Sequence, residues 1–206
     1  QDISSLADGT ITVTADVFDI AGNAATRVNP NPRPVEKDTD PPLIAIGVIE
    51  DDDLVSNSEQ AAVVISGTST AEDGQTVRLT IAGSTTINDS VIVTGGVWTH
   101  TQDISSLADG TITVTADVSD LAGNAATRVP PNNPRTLVKD TDPPSIAIGV
   151  IEDDDIVNDS EQADVVISGT ADTEDNLTVT LRIAGSIIGT PTVTDSVWSY
   201  PVNMSP

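Results

Sequence analysis

Polar and apolar residues alternate most clearly in the run Thr111-Ile112-Thr113-Val114-Thr115-Ala116-Asp117-Val118. Successive side chains of a strand point to opposite faces, so threonines on one face and aliphatic residues on the other are typical of a half-buried antiparallel strand. The turns on either side contain Asp109-Gly110 and Gly123-Asn124, which readily adopt the left-handed conformations of tight turns. Residues 10–17 have the same sequence as this run, and the two copies first differ at the next residue, Phe18 against Ser119. We therefore predict a strand in both places.

Similar runs surround this strand on its N-terminal and C-terminal sides. We expect seven strands, named A to G, at about 43–49, 61–67, 76–82, 90–94, 97–104, 111–118 and 125–129, the last extending toward 138. The connecting segments are rich in Gly, Asp, Asn, Ser and Pro, and no window shows a helical period. Seven short strands in about 100 residues predict an all-β, immunoglobulin-like Greek-key β-sandwich. Trp98, in strand E, is expected to anchor the core.

Most of this pattern is present twice. The stretch Lys37-Asp38-Thr39-Asp40-Pro41-Pro42 returns 102 residues later (139 − 37 = 102), and residues 1–28 match residues 102–129 at 26 of 28 positions. So long a period indicates an array of whole domains. We expect residues 1–40 to be the C-terminal half of one Ig-like repeat, 41–142 a complete repeat, and 143–206 the N-terminal part of a third. On this interpretation the chain is a segment of a longer, extended tandem array.

Composition limits the possible partners. The chain has 32 acidic and 8 basic residues, a net charge of −24, and no cysteine. Such a charge repels phosphate backbones and anionic lipids, which disfavours binding to nucleic acids or membrane surfaces. No stretch approaches the roughly 18 apolar residues that a membrane span needs. Without disulfides, stability has to come from core burial or bound metal.

Carboxylates are concentrated in two loops and two joints between repeats. The loop after strand A reads Glu50-Asp51-Asp52-Asp53, and its later copy reads Glu152-Asp153-Asp154-Asp155. Adjacent aspartates repel one another, and Ca²⁺ accepts 6 to 8 oxygen ligands in irregular geometry, which suits loops. The spacing is not that of an EF-hand, because the Gly at the sixth position and the Glu at the twelfth are missing.

Strand topology indicates which of these groups meet. The A–B loop should lie at the C-terminal pole of each sandwich, beside the exit of strand G, whereas the B–C and F–G loops should lie at the N-terminal pole. We therefore predict Ca²⁺ clamped between domains. The candidate ligands are Asp38, Asp40, Asp51, Asp52, Asp53, Glu72, Asp73, Asp120, Asn124, Asp140, Asp142, Asp153, Asp154, Asp155, Asp172, Glu174 and Asp175. Two alternatives stay open: the acids form a solvated surface, or Asp120 and Asn124 make a local Asx turn.

The succession of motifs resembles a known family. Val97-Trp98, Leu107-Ala108-Asp109-Gly110, Asp120-Leu121-Ala122-Gly123-Asn124, Asp140-Thr141-Asp142-Pro143-Pro144 and Ile167-Ser168-Gly169-Thr170 are similar to the bacterial Ig-like repeats of giant surface adhesins, in particular the extender regions of type-I-secreted, RTX-type adhesins. The glycine-rich nonapeptide calcium repeats of RTX proteins are absent. The resemblance implies an extracellular stalk at the bacterial cell surface, whose partners are neighbouring repeats of the same chain.

Three other functions differ in what they would require of the sequence. An enzyme is disfavoured, because the acidic clusters lie in repeated loops and the single histidine, His100, aligns with Tyr200. A carbohydrate-binding Ig-like module would need an exposed aromatic patch, but Phe18 and Tyr200 are isolated. Lateral association of like chains through unpaired edge strands, as in a matrix or filament protein, is the third. The expected function is an extender stalk stiffened by Ca²⁺ at its joints.

Overall fold

A computed structural model describes residues 2–205, and in this range it contains strands, turns and no helix. The described part of the chain therefore has no helix that could cross a membrane. Contacts divide the protein into two compact units, residues 1–141 and 142–206. Unit 1 contains β1 Gly9–Val13, β2 Arg33–Lys37, β3 Leu43–Ile46, β4 Leu54–Val55, β5 Val63–Ser69, β6 Thr76–Ala82, β7 Thr86–Ile92, β8 Val97–Gln102, β9 Gly110–Asp117, β10 Thr127–Arg128 and β11 Arg135–Lys139. Unit 2 contains β12 Ile146–Ile148, β13 Val165–Ala171, β14 Leu181–Ile183, β15 Ser186–Gly189 and β16 Val197–Val202.

Strands β3 to β11 form a β-sandwich. One sheet has the order β10-β3-β5-β8 and the other has the order β4-β11-β9-β6-β7. The run 111–118 alternates as the sequence indicates, because Ile112, Val114 and Ala116 are buried in β9 while the threonines between them are partly exposed. These residues pack with Ile44, Ile46 and other aliphatic side chains into one continuous core. The predicted all-β, Ig-like sandwich is thus observed.

Trp98 is the largest side chain of this core and is 2% exposed. Its indole Nε1 is buried and has no hydrogen-bond partner. The expected role as a core anchor agrees with this burial, because an aromatic side chain inside a small domain contributes mainly through the apolar area that it removes from water.

Two of the seven strands, D and G, differ most from the predicted positions, whereas A, B, E and F differ by one to three residues at their ends. Strand D, expected at 90–94, begins earlier as β7, because an edge strand tolerates exposed polar residues such as Asn88 and Asp89. Strand G, expected at 125–129, is divided by the proline-rich segment 130–134. Only β10 forms at the expected place, and β11 pairs with β9 after the prolines, which have no N–H to donate to a sheet. The two-residue strand β4 was not predicted.

Residues 2–37 contain one strand pair, which we call the β1–β2 hairpin, and an isolated antiparallel bridge between Phe18 and Ala24 in the connection. Strands β1 and β2 pair antiparallel, with Ile11 opposite Val35 and Val13 opposite Arg33. The hairpin is the sequence counterpart of β9 and β11, yet its apolar face is open: Val13 is 53% exposed and Val35 is 47% exposed.

Unit 2 is a smaller sandwich. One sheet has the order β12-β13-β16, and the other is the hairpin β14-β15. Val165, Ile167, Leu181 and Trp198 form its core. These strands correspond in sequence to β3, β5, β8 and the β6–β7 hairpin.

Candidate functional site: the joint between repeats

The joint Lys37-Asp38-Thr39-Asp40 is bound to the hairpin that precedes it. Asp8, in the turn before β1, accepts hydrogen bonds from Lys37 Nζ, from the backbone N–H of Thr39 at 2.8 Å and from its hydroxyl at 2.8 Å. The hydrogen bonds from Lys37 and Thr39 lower the pKa of the Asp8 carboxyl to about 2. One carboxylate thus holds two residues of the joint, and we call this arrangement the clasp.

The second joint has the same clasp on its N-terminal side. Asp109 Oδ1 accepts from Lys139 Nζ at 2.7 Å, and Asp109 Oδ2 accepts from the Thr141 N–H at 2.8 Å and from its hydroxyl at 2.9 Å. Lys139 is 4% exposed. The Lys139 ammonium, followed by the Thr141 N–H, lowers the pKa of the Asp109 carboxyl to about 2.

The first joint is also bound to the sandwich that follows it. The side-chain amide of Asn124 donates to the backbone carbonyl of Asp38 at 3.2 Å. The Leu43 N–H donates to the hydroxyl of Thr70 at 2.8 Å, and the Thr127 N–H donates to the Pro42 carbonyl at 2.7 Å. The chain from Lys37 to Leu43 is therefore hydrogen-bonded at both ends.

Asn124 is positioned by Asp120, which is 7% exposed. The Asp120 carboxylate accepts the Asn124 backbone N–H at 2.7 Å and its side-chain amide at 2.9 Å. Burial raises the pKa of Asp120, but the hydrogen bonds from Asn124 and neighbouring backbone groups outweigh it, so that the net pKa is lowered. The Asx turn left open in the sequence is present, and it aims the Asn124 amide at the joint.

The B–C loop contributes two carboxylates, which accept hydrogen bonds from two different loops. Glu72 Oε2 accepts the N–H of Leu121 at 3.0 Å, which ties this loop to the F–G loop at the same pole. Asp73 Oδ1 instead accepts the N–H of Gly95 at 2.7 Å, in the turn between β7 and β8. Asp73 therefore makes a hydrogen bond inside its own sandwich and not to the joint.

Unit 2 repeats part of this arrangement. Asp175, the counterpart of Asp73, accepts the N–H of Asp195 at 2.8 Å. Glu174 accepts the hydroxyl of Thr173 at 3.0 Å, and the Asp172 N–H donates to the Ser145 carbonyl at 2.8 Å. All three residues thus make contacts inside unit 2, to which Asp142 also belongs.

The aspartates of the A–B loop are used mainly to shape that loop. Asp51 and Asp53 have positive φ values of 65° and 62°, a conformation that aspartate tolerates better than most residues. Asp52 accepts the Leu54 N–H at 2.9 Å. Asp53 accepts the Ile49 N–H at 3.0 Å and Arg135 Nε at 2.6 Å. The Arg135 guanidinium is the main cause of the lowered pKa of Asp53.

The loop in unit 2 has the same geometry. Asp153 and Asp155 have positive φ values, Asp154 accepts the Ile156 N–H at 2.9 Å, and Asp155 accepts the Ile151 N–H at 3.0 Å. The repetition of these contacts shows that the acidic triplet is a local loop motif in both repeats.

The A–B loop and the start of the second joint lie at the same end of the complete sandwich. Strand β4 pairs in parallel with β11, with Leu54 opposite Val138, and the Asp140 N–H donates to the Val55 carbonyl at 3.0 Å. The sequence-based topology predicted this proximity.

The oxygen ligands at the joints fit Ca²⁺ in chemical kind, because carboxylate and amide oxygens are its usual ligands. Their arrangement does not fit it as it stands. Among residues 2–205, no group of three or more His, Asp or Glu side chains is placed to hold a metal ion. Several candidate carboxylates already accept hydrogen bonds from backbone or arginine groups, as described above.

The clasp residues Asp8, Asp109, Thr39 and Thr141 and the two lysines were not among the predicted site residues. A signal for them exists in the sequence: Lys37 and Lys139 are the only two lysines of the chain, and both occupy the same place in a joint. Each is paired with a Leu-Ala-Asp-Gly turn that is repeated with it.

Fold and site together define an Ig-like β-sandwich preceded by a hydrogen-bonded joint. Residues 47–132 match the family model of the bacterial Ig-like domain. This part of the β3–β11 sandwich is therefore similar to a bacterial Ig-like domain, as the motifs indicated.

Comparison with curated protein sequences gives no match. Among solved structures, the chain is similar to a Ca²⁺-stabilized adhesin that helps an Antarctic bacterium reach out and bind ice, with 28% identity, a TM-score of 0.44, and coverage of 95% of this chain and 49% of that one. It is also similar to a bacterial immunoglobulin-like domain from the M. primoryensis ice-binding adhesin, with 28% identity, a TM-score of 0.32, and coverage of 48% and 94%. The chain spans about half the length of the first of these.

Proposed function

We propose that these repeats are extender domains in the stalk of a large bacterial cell-surface adhesin, and that they act mechanically, by holding a distant binding region away from the cell. The family match of residues 47–132 and the near identity of the repeats support an array of equivalent spacers. On this proposal the protein is extracellular, has no catalytic role, and has neighbouring repeats as its main partners.

One observation carries the proposal. The first joint is hydrogen-bonded to Asp8 on its N-terminal side and to Asn124 on its C-terminal side. A linker whose backbone is held on both sides loses most of its freedom to bend, because each contact removes accessible backbone conformations. A stalk needs joints of this kind, since flexible joints would let the array collapse into a coil.

The stiffness of the joint can be measured in the 206-residue chain by NMR relaxation of the backbone amides of residues 37–43. We expect them to be as ordered as the strands of the sandwich, and Asp8→Ala and Asn124→Ala to make them more mobile. Asn23→Ala is the matched control: Asn23 makes the same Asx contact, donating to Asp19 at 2.8 Å, in the turn between β1 and β2. Mobile amides in the unmodified chain would refute the stiff-joint proposal.

We propose in addition that Ca²⁺ binds at the first joint, with oxygen ligands from Asp38 and Asp40 of the linker and from Glu72 of the B–C loop. Because these carboxylates do not form a metal site as they are placed, binding requires side-chain movement, and affinity in the range of about 10⁻⁴ to 10⁻³ M known for extracellular modules is expected. When bound, the ion would neutralise carboxylates that otherwise repel one another.

The calcium proposal is tested by titrating CaCl₂ into the same chain and following the amide resonances of residues 38–42 together with the melting temperature. We expect saturable shifts at these residues and a rise in melting temperature, both reduced in the Asp38→Asn/Asp40→Asn variant. Asp51→Asn, which removes one exposed carboxylate of the A–B loop, serves as a charge control for the first joint. Shifts spread evenly over all acidic residues would identify unspecific screening and overturn this part of the proposal.

A further inference from the structure

Three polar side chains meet along one side of the complete sandwich, where β7 ends one sheet and β8 ends the other. His100 and Gln102 of β8 are both partly buried, and they share one face because they are two residues apart in a strand. On β7, Asp89 stands between Ile87 and Val91, which pack against the core. Inward-facing positions of a strand are ordinarily apolar, so polar residues at all three positions call for a reason.

The imidazole of His100 lies between two oxygen atoms. Its Nε2 atom is 3.2 Å from Gln102 Oε1 and 3.3 Å from Asp89 Oδ2. A single N–H can be well aligned with only one of two acceptors at a time, and both distances exceed the about 2.9–3.0 Å that is usual for an N–H···O hydrogen bond. Hydrogen bonding therefore makes incomplete use of this arrangement.

Backbone groups orient the two oxygen atoms. Gln102 Nε2 donates to the Asp103 carbonyl at 2.9 Å, which turns Oε1 toward the imidazole. Asp89 Oδ1 accepts the N–H of Ser90 at 2.7 Å, which leaves Oδ2 for His100. Metal ligands in proteins are commonly held in place by such outer contacts.

The separations match those between the ligands of a tetrahedral metal ion. Zn²⁺ binds nitrogen and oxygen ligands at about 2.0–2.2 Å, which places neighbouring ligand atoms of a tetrahedron about 3.3–3.5 Å apart. The distances at His100 Nε2 are close to this range, so an ion can enter with small side-chain movements. The Asp89 side chain is 45% exposed, so solvent reaches the site and water can complete the coordination.

The corresponding place in unit 2 is built differently. With Trp98 aligned to Trp198, the three polar positions 89, 100 and 102 correspond to Gly189, Tyr200 and Val202. Tyr200 and Val202 pack against the core of unit 2, and a Cβ added at Gly189 would lie 2.2 Å from Tyr200 Cζ. An aromatic ring over a glycine fills the place there. The three polar residues thus occur together in one repeat and are replaced together in the other, as expected of residues that serve one site.

We propose that Asp89, His100 and Gln102 bind a divalent transition-metal ion of the Zn²⁺ type, and that this ion joins the edges of the two sheets. An imidazole ligand suits Zn²⁺, Cu²⁺ or Ni²⁺, whereas Ca²⁺ takes oxygen ligands. On binding, the metal ion takes the place of any proton on His100 Nε2, and that proton passes to water. The site differs in both place and chemistry from the Ca²⁺ site proposed at the first joint, and the two proposals stand or fall separately.

The first test is an NMR titration of ZnCl₂ into the 206-residue chain in millimolar CaCl₂, which screens the other carboxylates. His100 is the single histidine, so its imidazole resonances report on the site directly. We expect saturable shifts of these resonances and of the amides of Asp89 and Gln102. The amide of Tyr200, at the corresponding place of unit 2, should not shift. Shifts without saturation, or equal shifts at Tyr200, would overturn the proposal.

Variants separate the site from general binding of cations to an acidic chain. His100→Gln and Asp89→Asn each remove a ligand and are expected to weaken Zn²⁺ binding at least about tenfold, measured by competition with a chromogenic zinc indicator. Asp103→Asn is the matched control, because it removes a neighbouring carboxylate that accepts the Ser105 N–H at 2.9 Å. Its affinity should equal that of the unmodified chain. Equal affinities of Asp89→Asn and Asp103→Asn would contradict the assigned ligands.

Thermal unfolding tests the link between the sheets. An ion that binds only the folded state raises the melting temperature, and here the ligands come from two strands that separate on unfolding. Saturating Zn²⁺ is expected to raise the melting temperature of the unmodified chain and of Asp103→Asn, and to raise that of Asp89→Asn much less. An unchanged melting temperature of the unmodified chain at saturation would refute the link.

Discussion

The indole of Trp98 lies directly over the backbone of Gly67. A Cβ atom added at Gly67 would be 2.4 Å from Trp98 Cζ2 and 2.1 Å from the carbonyl oxygen of Ala45. Unit 2 has the same relationship, with the corresponding distances at Gly169 being 2.7 Å to Trp198 Cζ2 and 2.0 Å to the Ala147 oxygen. A glycine in strand B is therefore the condition for placing the tryptophan of strand E in the core.

Gly67→Ala is expected to lower the free energy of unfolding by about 1–3 kcal/mol or more, because overpacking forces the indole or the strand to move. Gly47→Ala is the control: a Cβ there would lie 3.4 Å from the nearest atom, so the change should cost little. Urea unfolding followed by tryptophan fluorescence measures both. Equal stability of the two variants would contradict this prediction, because it would mean that strand B accommodates the added methyl group without loss of stability.

The ion pair of Arg135 and Asp53 is expected to matter more for stability than a surface pair of similar geometry. Their side chains are 18% and 26% exposed, against 42% and 52% for Arg128 and Asp117. Arg135→Gln should cost about 1.5–3 kcal/mol, the range for hydrogen bonds to charged groups. Arg128→Gln should cost at most about 1 kcal/mol, as exposed pairs do. Chemical unfolding measures the loss of stability in both variants. A larger loss for Arg128→Gln than for Arg135→Gln would contradict the stabilising role assigned to the ion pair of the A–B loop.

The clasp makes stability depend on pH in the acid range. The pKa of Asp109 is lowered from 3.8 to about 2 in the folded protein, so the folded state binds fewer protons than the unfolded state, and the carboxylate stabilises the fold above pH 3.8. This contribution is lost as the pH falls from 3.8 toward 2.

Asp109→Asn should accordingly lower the melting temperature at pH 7, and its difference from the unmodified chain should shrink between pH 4 and pH 2, the range set by the lowered pKa. Asp51→Asn, which removes one exposed charge without touching the clasp, is the charge control. Calorimetric scans across this range provide the measurement. A constant difference at all pH values would mean that the clasp acts without its charge.

Asn133 replaces a missing strand partner. It is 2% exposed, its amide donates to the Ala116 carbonyl at 2.7 Å, and its carbonyl accepts the Ala116 N–H at 3.2 Å. Asn133→Ala leaves both backbone groups buried and unpaired, and should cost at least about 1–3 kcal/mol. Asn31→Ala breaks the same contacts to Ala15 in the open hairpin, where water can replace them, and should cost less. Thermal unfolding of both variants tests this difference.

The strands of the sandwich could be predicted where local pattern and tertiary environment agree. Strand C is found at the predicted residues, and the run around Val114 alternates as expected, because one face of each strand is buried. Strand G could not be placed from pattern alone, since its residues 135–139 follow three prolines and gain their strand conformation only by pairing with β9.

The joint was found by its repetition, but its chemistry was only partly predicted. Asn124 contacts the backbone of Asp38 and is held by Asp120, whereas Ca²⁺ binding by these three residues stays a prediction. The ion pair of Asp53 with Arg135 was not predicted, since no local pattern reveals a partner 82 residues away. The clasp was missed because its aspartate sits in a turn, where Asp-Gly is already explained by backbone conformation.

The clasps also bear on how such an array would resist digestion. Trypsin-like proteases must insert a basic side chain into a deep pocket while the flanking backbone is extended and accessible, and exposed loops are where this happens most easily. The two lysines of this chain stand at its joints, the places where a tandem protein is ordinarily cut, and Lys139 is almost completely buried against Asp109. Cleavage after either lysine therefore has to wait for local opening of the clasp. The clasp, which holds the backbone of the joint, therefore also protects that joint from proteolysis. A single cleavage there would separate the rest of the chain from the domains that precede it.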